Sequence, residues 1–492
     1  MKAVRRPSLT IAFLLILIIC AISSPYLRAF IGLPRHIRML EGQSREFPVR
    51  LPLGLYIRSD EEGDIFMVND SRIEKSGFSL KRGAVAKFSP LNLGTADVQV
   101  RLLGVVPIGK VKVDVLPRVS VVPGGQAIGV LLTARGVIVV GHYPLVGIDG
   151  RRYYPAQEAG IEVGDVIVSI NGAPVEGATQ VERLIDIAGR EHKEIDLGLE
   201  RNGQDLHTKI KPVPTGVGAG DVRSGLHGGG PYNDLHGDRD NGPGDSGGTG
   251  TIDPVKYRIG VYIKDNAAGV GTLSFFDPEK GVYGALGHVI TDANTNQEIN
   301  VRDGRIVAAQ IIGIQQGQRG QPGEKIGVFG GGEDVLGTIE RNTKFGIFGK
   351  MTLPPREGLT MEPIPIALAE EVTEGEAEML TVIKDDKVEG FKVEIERVLH
   401  QTNPGTKGLI IRVTDPRLIA MTGGIVQGMS GSPIIKDGRL CAIVTHVFLA
   451  DPRRGYATLA EWMAREAGLY PGTSSEKGVS MLPQRRRLPD AA

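Results

Sequence analysis

Apolar and polar positions alternate with a period of two along much of this 492-residue chain. Between residues 37 and 117, stretches such as ADVQVRLLG and KVKVDVLP predict half-buried strands separated by turn signals, and hence a small β domain. Residues 118–212 continue in the same texture, except that TQVERLIDIAG places Val181, Leu184, Ile185 and Ile187 at helical spacing. Residues 251–470 carry many short strand-like runs, among them KYRIGVYIKD, GRIVAAQIIGIQQ, FKVEIERVLH and CAIVTHVFL, as a sandwich or a pair of barrels would. One clear helix stands among them, TLAEWMAREAGL near 458–469. Two segments lack the pattern. In 213–250 apolar residues nearly vanish while Gly, Asp, Asn, Pro and His accumulate, which predicts a mobile linker, and 471–492 reads as a disordered tail.

Length and composition narrow the picture. The chain is too long for one core and implies two to four domains. With 68 glycines and only 5% aromatics, β-rich and turn-rich domains are expected rather than helical bundles. Lys+Arg and Asp+Glu both number 57, so nothing in the net charge points to nucleic acid. The two cysteines, Cys20 and Cys441, lie in separate apolar runs, which argues against a disulfide framework and excludes a cysteine-built zinc site. His227, His236, Asp234, Asp238 and Asp240 share the linker without the spacing of a metal site, so no metal or cofactor is expected.

At the N-terminus, Lys2, Arg5 and Arg6 precede the unbroken apolar run Ile11–Ile22, and Ser23-Ser24-Pro25 follows. Twelve residues span about 18 Å as a helix, short of a hydrocarbon core. Residues 1–30 therefore read as a signal peptide or signal anchor, with the rest of the chain outside the cytoplasm.

The stretch PAQEAGIEVGDVIVSINGAPV, from Pro155, resembles the signature of PDZ domains. Gly164-Asp165 leads into the strand VIVSI, and Asn171-Gly172 suits a tight hairpin. The resemblance implies peptide binding by strand addition. It places the carboxylate-binding loop and edge strand at Ile128, Gly129, Val130 and Leu131, with the helix at 179–189 along the groove.

Three places invite chemistry. Gly244-Asp245-Ser246-Gly247-Gly248 is the closest string match to a serine-protease motif, but it lies in the linker, where nothing would hold an oxyanion hole still. Tyr283-Gly284-Ala285-Leu286-Gly287-His288 sets a histidine at a glycine turn after an apolar strand. Gly428-Met429-Ser430-Gly431-Ser432-Pro433 sets a serine in a glycine turn before another strand. Serine hydrolysis needs a hydroxyl beside an imidazole and N–H groups aimed at the developing oxyanion, and the N–H groups of Gly428 and Ser430 could supply the latter.

These two islands, YGALGHVITD and IRVTDPRLIAMTGGIVQGMSGSPIIKDGRLCAIVTHVFLA, resemble the stage IV sporulation protein B family, PDZ-containing serine peptidases grouped with the chymotrypsin-like double-barrel clan. The resemblance implies a mainly β protein with His288 as general base, Ser430 as nucleophile and Asp415 as orienting acid. Asp334 and Asp292 are positional rivals for the acid, and His446 reads as part of a strand beside a bound peptide. Gly424, Val426 and Gln427, just before the nucleophile, correspond to specificity-pocket positions. The family further implies a self-cleaving, membrane-associated enzyme between the forespore membranes. Its expected substrate is a membrane-bound regulator of an intramembrane protease, leading to sigma-K activation. Two other readings stay open: an inactive PDZ scaffold, and an extracytoplasmic quality-control protease.

Overall fold

A computed structural model describes residues 34–48, 55–59, 65–72, 77–80, 84–102, 105–216, 255–329, 334–352, 362–399, 401 and 403–470. The N-terminal apolar run, nearly all of the glycine-rich segment with Ser246, and the tail from 471 lie outside these residues. No described helix is long and apolar enough to cross a membrane. The chain divides into two compact units, 1–119 and 120–492.

The first unit is the expected small β domain. A five-stranded sheet orders His36–Leu40, Val106–Leu116, Gly94–Leu102, Leu55–Ser59 and Phe78–Leu80. A four-stranded sheet contains Arg45–Pro48, Val85–Pro90, Phe66–Val68 and Ser71–Arg72. Alternation explains the packing: Val98 and Val100 on one strand and Val111, Val113 and Val115 on the next turn inward, where they share a core with Phe66 and Phe88.

Strand and helix labels refer to the second unit. Its C-terminal half is a closed barrel of β12 (Gly375–Val382), β13 (Val388–Val398), β14 (Leu409–Val413), β15 (Pro433–Lys436), β16 (Arg439–Phe448) and β17 (Asp451–Leu459). The short helix α2 (Pro416–Thr422) links β14 to the turn before β15, and α3 (Ala460–Glu466) is the helix expected near 458–469. The other half is one large sheet. Along it run β5 (Gln204–Ile210), β4 (Ile195–Arg201), β3 (Val166–Ile170), β2 (Ala127–His142), β6 (Val261–Asp277), β7 (Val282–Ala285) and β11 (Gly346–Lys350). β1 (Ser120–Pro123) pairs with β6, and β8 (Val301–Gln315) pairs with β2, β9 (Glu324–Phe329) and β10 (Val335–Thr338).

The PDZ elements are present. The Asn171-Gly172 turn has both residues at positive φ, 50° and 76°, and Ile170 pairs with Ala173 across it. Helix α1 (Ala178–Arg190) buries Val181 and Ile185 but leaves Ile187 47% exposed, so only part of its apolar stripe faces the core.

Two expectations change. A division at 118–212 and 251–470 does not describe this unit, because β2 and β6 each run through both cores. Val137 and Val139 lie in one core with Val181 and Ile185 of α1, whereas Ile128, Val130 and Leu132 of the same strand join Leu273, Tyr283 and Ile306 in a second core. Nor do Ile128–Leu131 form an edge. Ile128 to Leu131 pair with Gly271 to Ala268 on one side and with Ala308 to Arg305 on the other, so both rows of backbone groups are taken. The PDZ position beside the outer half of β2 is filled by the chain itself, with Ile138, Val139, Gly141 and His142 paired to Lys264, Ile263, Tyr262 and Val261. The same segment is tied to α1: Asp265 accepts from the Ala178 N–H at 2.9 Å, and the Tyr257 N–H donates to Asp186 at 2.9 Å.

Candidate active site

The histidine turn and the serine turn, 142 residues apart in sequence, are docked backbone to backbone. Thr272 of β6 stands between them: its N–H donates to the Ser430 carbonyl at 3.1 Å, its hydroxyl donates to the Gly428 carbonyl at 2.6 Å, and its carbonyl accepts from the Leu286 N–H at 3.2 Å. Gly431 sits so close that a Cβ there would collide with the Thr272 carbonyl and the Leu286 backbone. Only glycine permits this approach, which sets the serine turn against the histidine turn. Leu286 and Gly287 both adopt positive φ, 71° and 73°, a strained conformation for leucine that turns the chain just before His288.

His288 is partly buried, and its Nδ1 lies 2.8 Å from the Val289 carbonyl. A carbonyl can only accept, so Nδ1 carries the proton and Nε2 keeps its lone pair. Burial pushes the His288 pKa down from the usual imidazole value, and the Val289 carbonyl offsets this in part. The ring lies 5.4 Å from that of His446, centroid to centroid. Burial, followed by the nearby His288 and Lys407, lowers the His446 pKa to about 4. Both imidazoles are thus neutral at neutral pH, the form a general base requires.

Ser430 Oγ donates to the Thr445 carbonyl at 2.9 Å, on the strand that carries His446. Around it the backbone donors divide. The N–H groups of Met429, Gly431 and Ser432 are bound to Val426, Val444 and Met429 carbonyls. Those of Gly428 and Ser430 have no backbone partner among the described residues. They are the two donors expected to form an oxyanion hole, and a positive φ of 87° at Gly428 bends the chain between them.

Asp415 is not brought to His288. It is the N-cap of α2, accepting from the Arg417 N–H at 2.9 Å and the Lys392 N–H at 3.3 Å and pairing with the Arg417 guanidinium at 3.1 Å. Burial would raise its pKa, but Arg417 and these N–H groups hold it below the ordinary carboxylate value. Asp-Pro before the helix and Gly423 after it are start and stop signals for α2, a second helix in a region where the sequence reading placed only the one near 458–469. Asp292 caps its own loop through the N–H groups of Asn294 and Thr295 and lies 3.5 Å from Lys264 Nζ. The Asp334 carbonyl accepts from the Ala308 N–H. Before the serine turn, Gln427 is held by the start of β9 and the residue preceding it: its N–H donates to the Gly323 carbonyl and its carbonyl accepts from the Lys325 N–H. Two surface hollows, one lined by Glu394, Glu396 and Arg412 and the other by Arg135, Glu176 and Arg302, include neither His288 nor Ser430.

An imidazole with a free lone pair, a serine in a glycine turn and two N–H groups without a backbone partner among the described residues are the components that serine hydrolysis requires, carried here on a β scaffold. Residues 255–464 match the SpoIVB peptidase S55 family and residues 151–197 match the PDZ domain, a pairing consistent with a SpoIVB-like, PDZ-containing serine peptidase. Probable CtpA-like serine proteases of Staphylococcus aureus strains COL and N315 are 37% identical over 57 residues, 12% of this chain and 12% of each relative. Among solved structures, the active form of the Rv3671c protease from M. tuberculosis is 16% identical, with a TM-score of 0.23 over 40% of this chain and 72% of that one. Its inactive form has a TM-score of 0.24 over 41% of this chain and 83% of that one, also at 16% identity.

Proposed function

We propose that this chain is an exported signalling serine endopeptidase of endospore formation. Ser430 is its nucleophile, His288 Nε2 its general base, and the N–H groups of Gly428 and Ser430 stabilise the oxyanion. The docking of the Ser430 turn onto the His288 turn through Thr272 carries this reading. In the resting site the hydroxyl points to Thr445. Rotation about its χ1 delivers it to the imidazole as substrate arrives, and catalytic hydrogen bonds commonly tighten only at that stage. The base passes the serine proton to the departing amine, and water then repeats the cycle on the acyl-enzyme. The Val289 carbonyl supplies the tautomer control that a carboxylate gives in other serine peptidases.

The finer role rests on the resemblance of the two islands to the sporulation family and on the apolar N-terminal run. The enzyme is placed between the forespore membranes, held by its N-terminal segment. There it cleaves itself and a membrane-bound regulator of an intramembrane protease, which triggers sigma-K activation. The PDZ module receives a peptide C-terminus along α1, at the outer edge of the segment 257–265 or in its place.

A fluorophosphonate probe on the purified full chain tests the chemistry. Ser430→Ala removes both labelling and self-cleavage, whereas Ser246→Ala leaves them intact. Labelling that survives Ser430→Ala would sink the assignment, and a chain that never labels would point instead to an inactive scaffold.

A further inference from the structure

Directly behind the serine turn lies a lysine that the mechanism above does not use. Lys325, on β9, is 1% exposed. Its amine donates to the Thr381 hydroxyl at 2.7 Å, and the Ser432 hydroxyl donates to the same oxygen at 3.0 Å. Thr381 and Ser432 are both fully buried. Among the described residues no carboxylate pairs with Lys325. Its stem lies against Gly428, where a Cβ would come within 3.1–3.3 Å of the lysine Cβ, Cγ and Cδ. Its own N–H holds the Gln427 carbonyl at 3.0 Å.

These contacts join three parts of the fold. Lys325 belongs to the large sheet, Thr381 to the closed barrel, and Ser432 to the turn itself. Ser432 also fixes that turn, donating its N–H to Met429 and accepting from Val444. An apolar side chain at 325 would fill the same space while leaving the Thr381–Ser432 pair without its third member. Burial without a counter-charge holds the amine's pKa at about 7, which keeps much of it neutral where peptidases work.

We infer that Lys325 is a positioning residue for peptide hydrolysis, holding Gly428, Ser430 and Ser432 in the geometry of the oxyanion hole through Thr381 and through its own stem. The inference rests on the serine-peptidase reading and adds to it a support that spans both halves of the domain. Lys325 touches neither substrate nor the reacting atoms. Its effect falls on the rate of the covalent step, because displacements of about 1 Å at such a site cost on the order of a hundredfold.

The experiment measures fluorophosphonate labelling of the full chain at Ser430 as a function of probe concentration, giving the limiting rate and the half-saturating concentration separately. Unfolding midpoints are recorded for every variant. Lys325→Met and Thr381→Val are expected to lower the limiting rate about 10- to 100-fold with half-saturation within about twofold of wild type. Thr381→Ser, which keeps the hydroxyl, is expected to restore the rate. Wild-type rates in folded Lys325→Met, or equal losses in Thr381→Val and Thr381→Ser, would overturn the inference and leave the peptidase reading standing. If Lys325→Met does not fold, the Thr381 pair decides alone. A wild-type chain that does not label overturns both.

Discussion

Replacing Lys325 by methionine should make the protein more stable. In the folded chain the amine is wholly enclosed and its pKa falls from 10.5 to about 7. Above the ordinary lysine pKa the amine is neutral in both folded and unfolded chains, and burial costs nothing by linkage. Between that value and about 7 the unfolded chain holds a proton that the folded chain does not, so stability falls as pH falls. Below about 7 both states are protonated and the penalty is constant. At about 1.4 kcal/mol per pKa unit, the full penalty is on the order of 5 kcal/mol, nearly all of it present at pH 7. Methionine removes it and fills the space with a flexible apolar chain. The amine's hydrogen bond to Thr381 is lost, at about 1 kcal/mol, while Thr381 keeps Ser432. Lys325→Met should therefore be more stable than wild type by about 2–4 kcal/mol at pH 7, with the gap narrowing by roughly 2 kcal/mol at pH 9. Urea unfolding of both proteins at the two pH values reads this directly. A variant less stable than wild type at pH 7, or a gap that does not narrow with rising pH, would refute the account of the buried amine.

Three further outcomes are expected. The acid limb of the Ser430 labelling rate should have its midpoint below 6.5, because the base must be neutral and burial lowers the His288 pKa; a midpoint above that value would show that another group governs it. Asp415→Ala should lose about 1–2 kcal/mol by chemical denaturation, as the N-cap of α2 and its bonds to Arg417 and Lys392 disappear; no loss would deny the capping role. Val130→Ala should destabilise the folded protein by about 1–3 kcal/mol, since Val130 is 4% exposed between two paired strands; an unchanged unfolding midpoint would restore this stretch to an open edge.

Local signals read well in the sequence. Alternation located the strands of the first unit, Asn171-Gly172 marked the PDZ hairpin of the second, and the glycines around Ser430 marked a turn where backbone approaches backbone. Pairing partners did not read. Nothing in AIGVLL distinguishes a strand with one free edge from one hydrogen-bonded on both, and the segments that cover it lie more than 130 residues downstream. Asp415 resembles a catalytic acid in the string VTDP, yet a following proline and a helix stop at Gly423 already suit it to capping. Lys325 was the hardest to foresee. In EKIGVF the period of two places it with Gly327 on the buried face, but a lysine is read as solvated unless its partners are known, and Thr381 is 56 residues away.

The sharing of β2 and β6 bears on how such a protein can be inherited. Modules that meet at a single flexible joint can be traded between chains by one recombination event. Here the PDZ core is entered near Gly136 along one continuous strand and left near Asp265 along another, and each of those strands also forms a wall of the peptidase core. A donor PDZ would have to match the register of both crossings at once, because a slip of one residue turns every side chain to the wrong face. The two modules are thus expected to descend together, and a peptidase of this architecture that lacks its PDZ would have had to rebuild both strands.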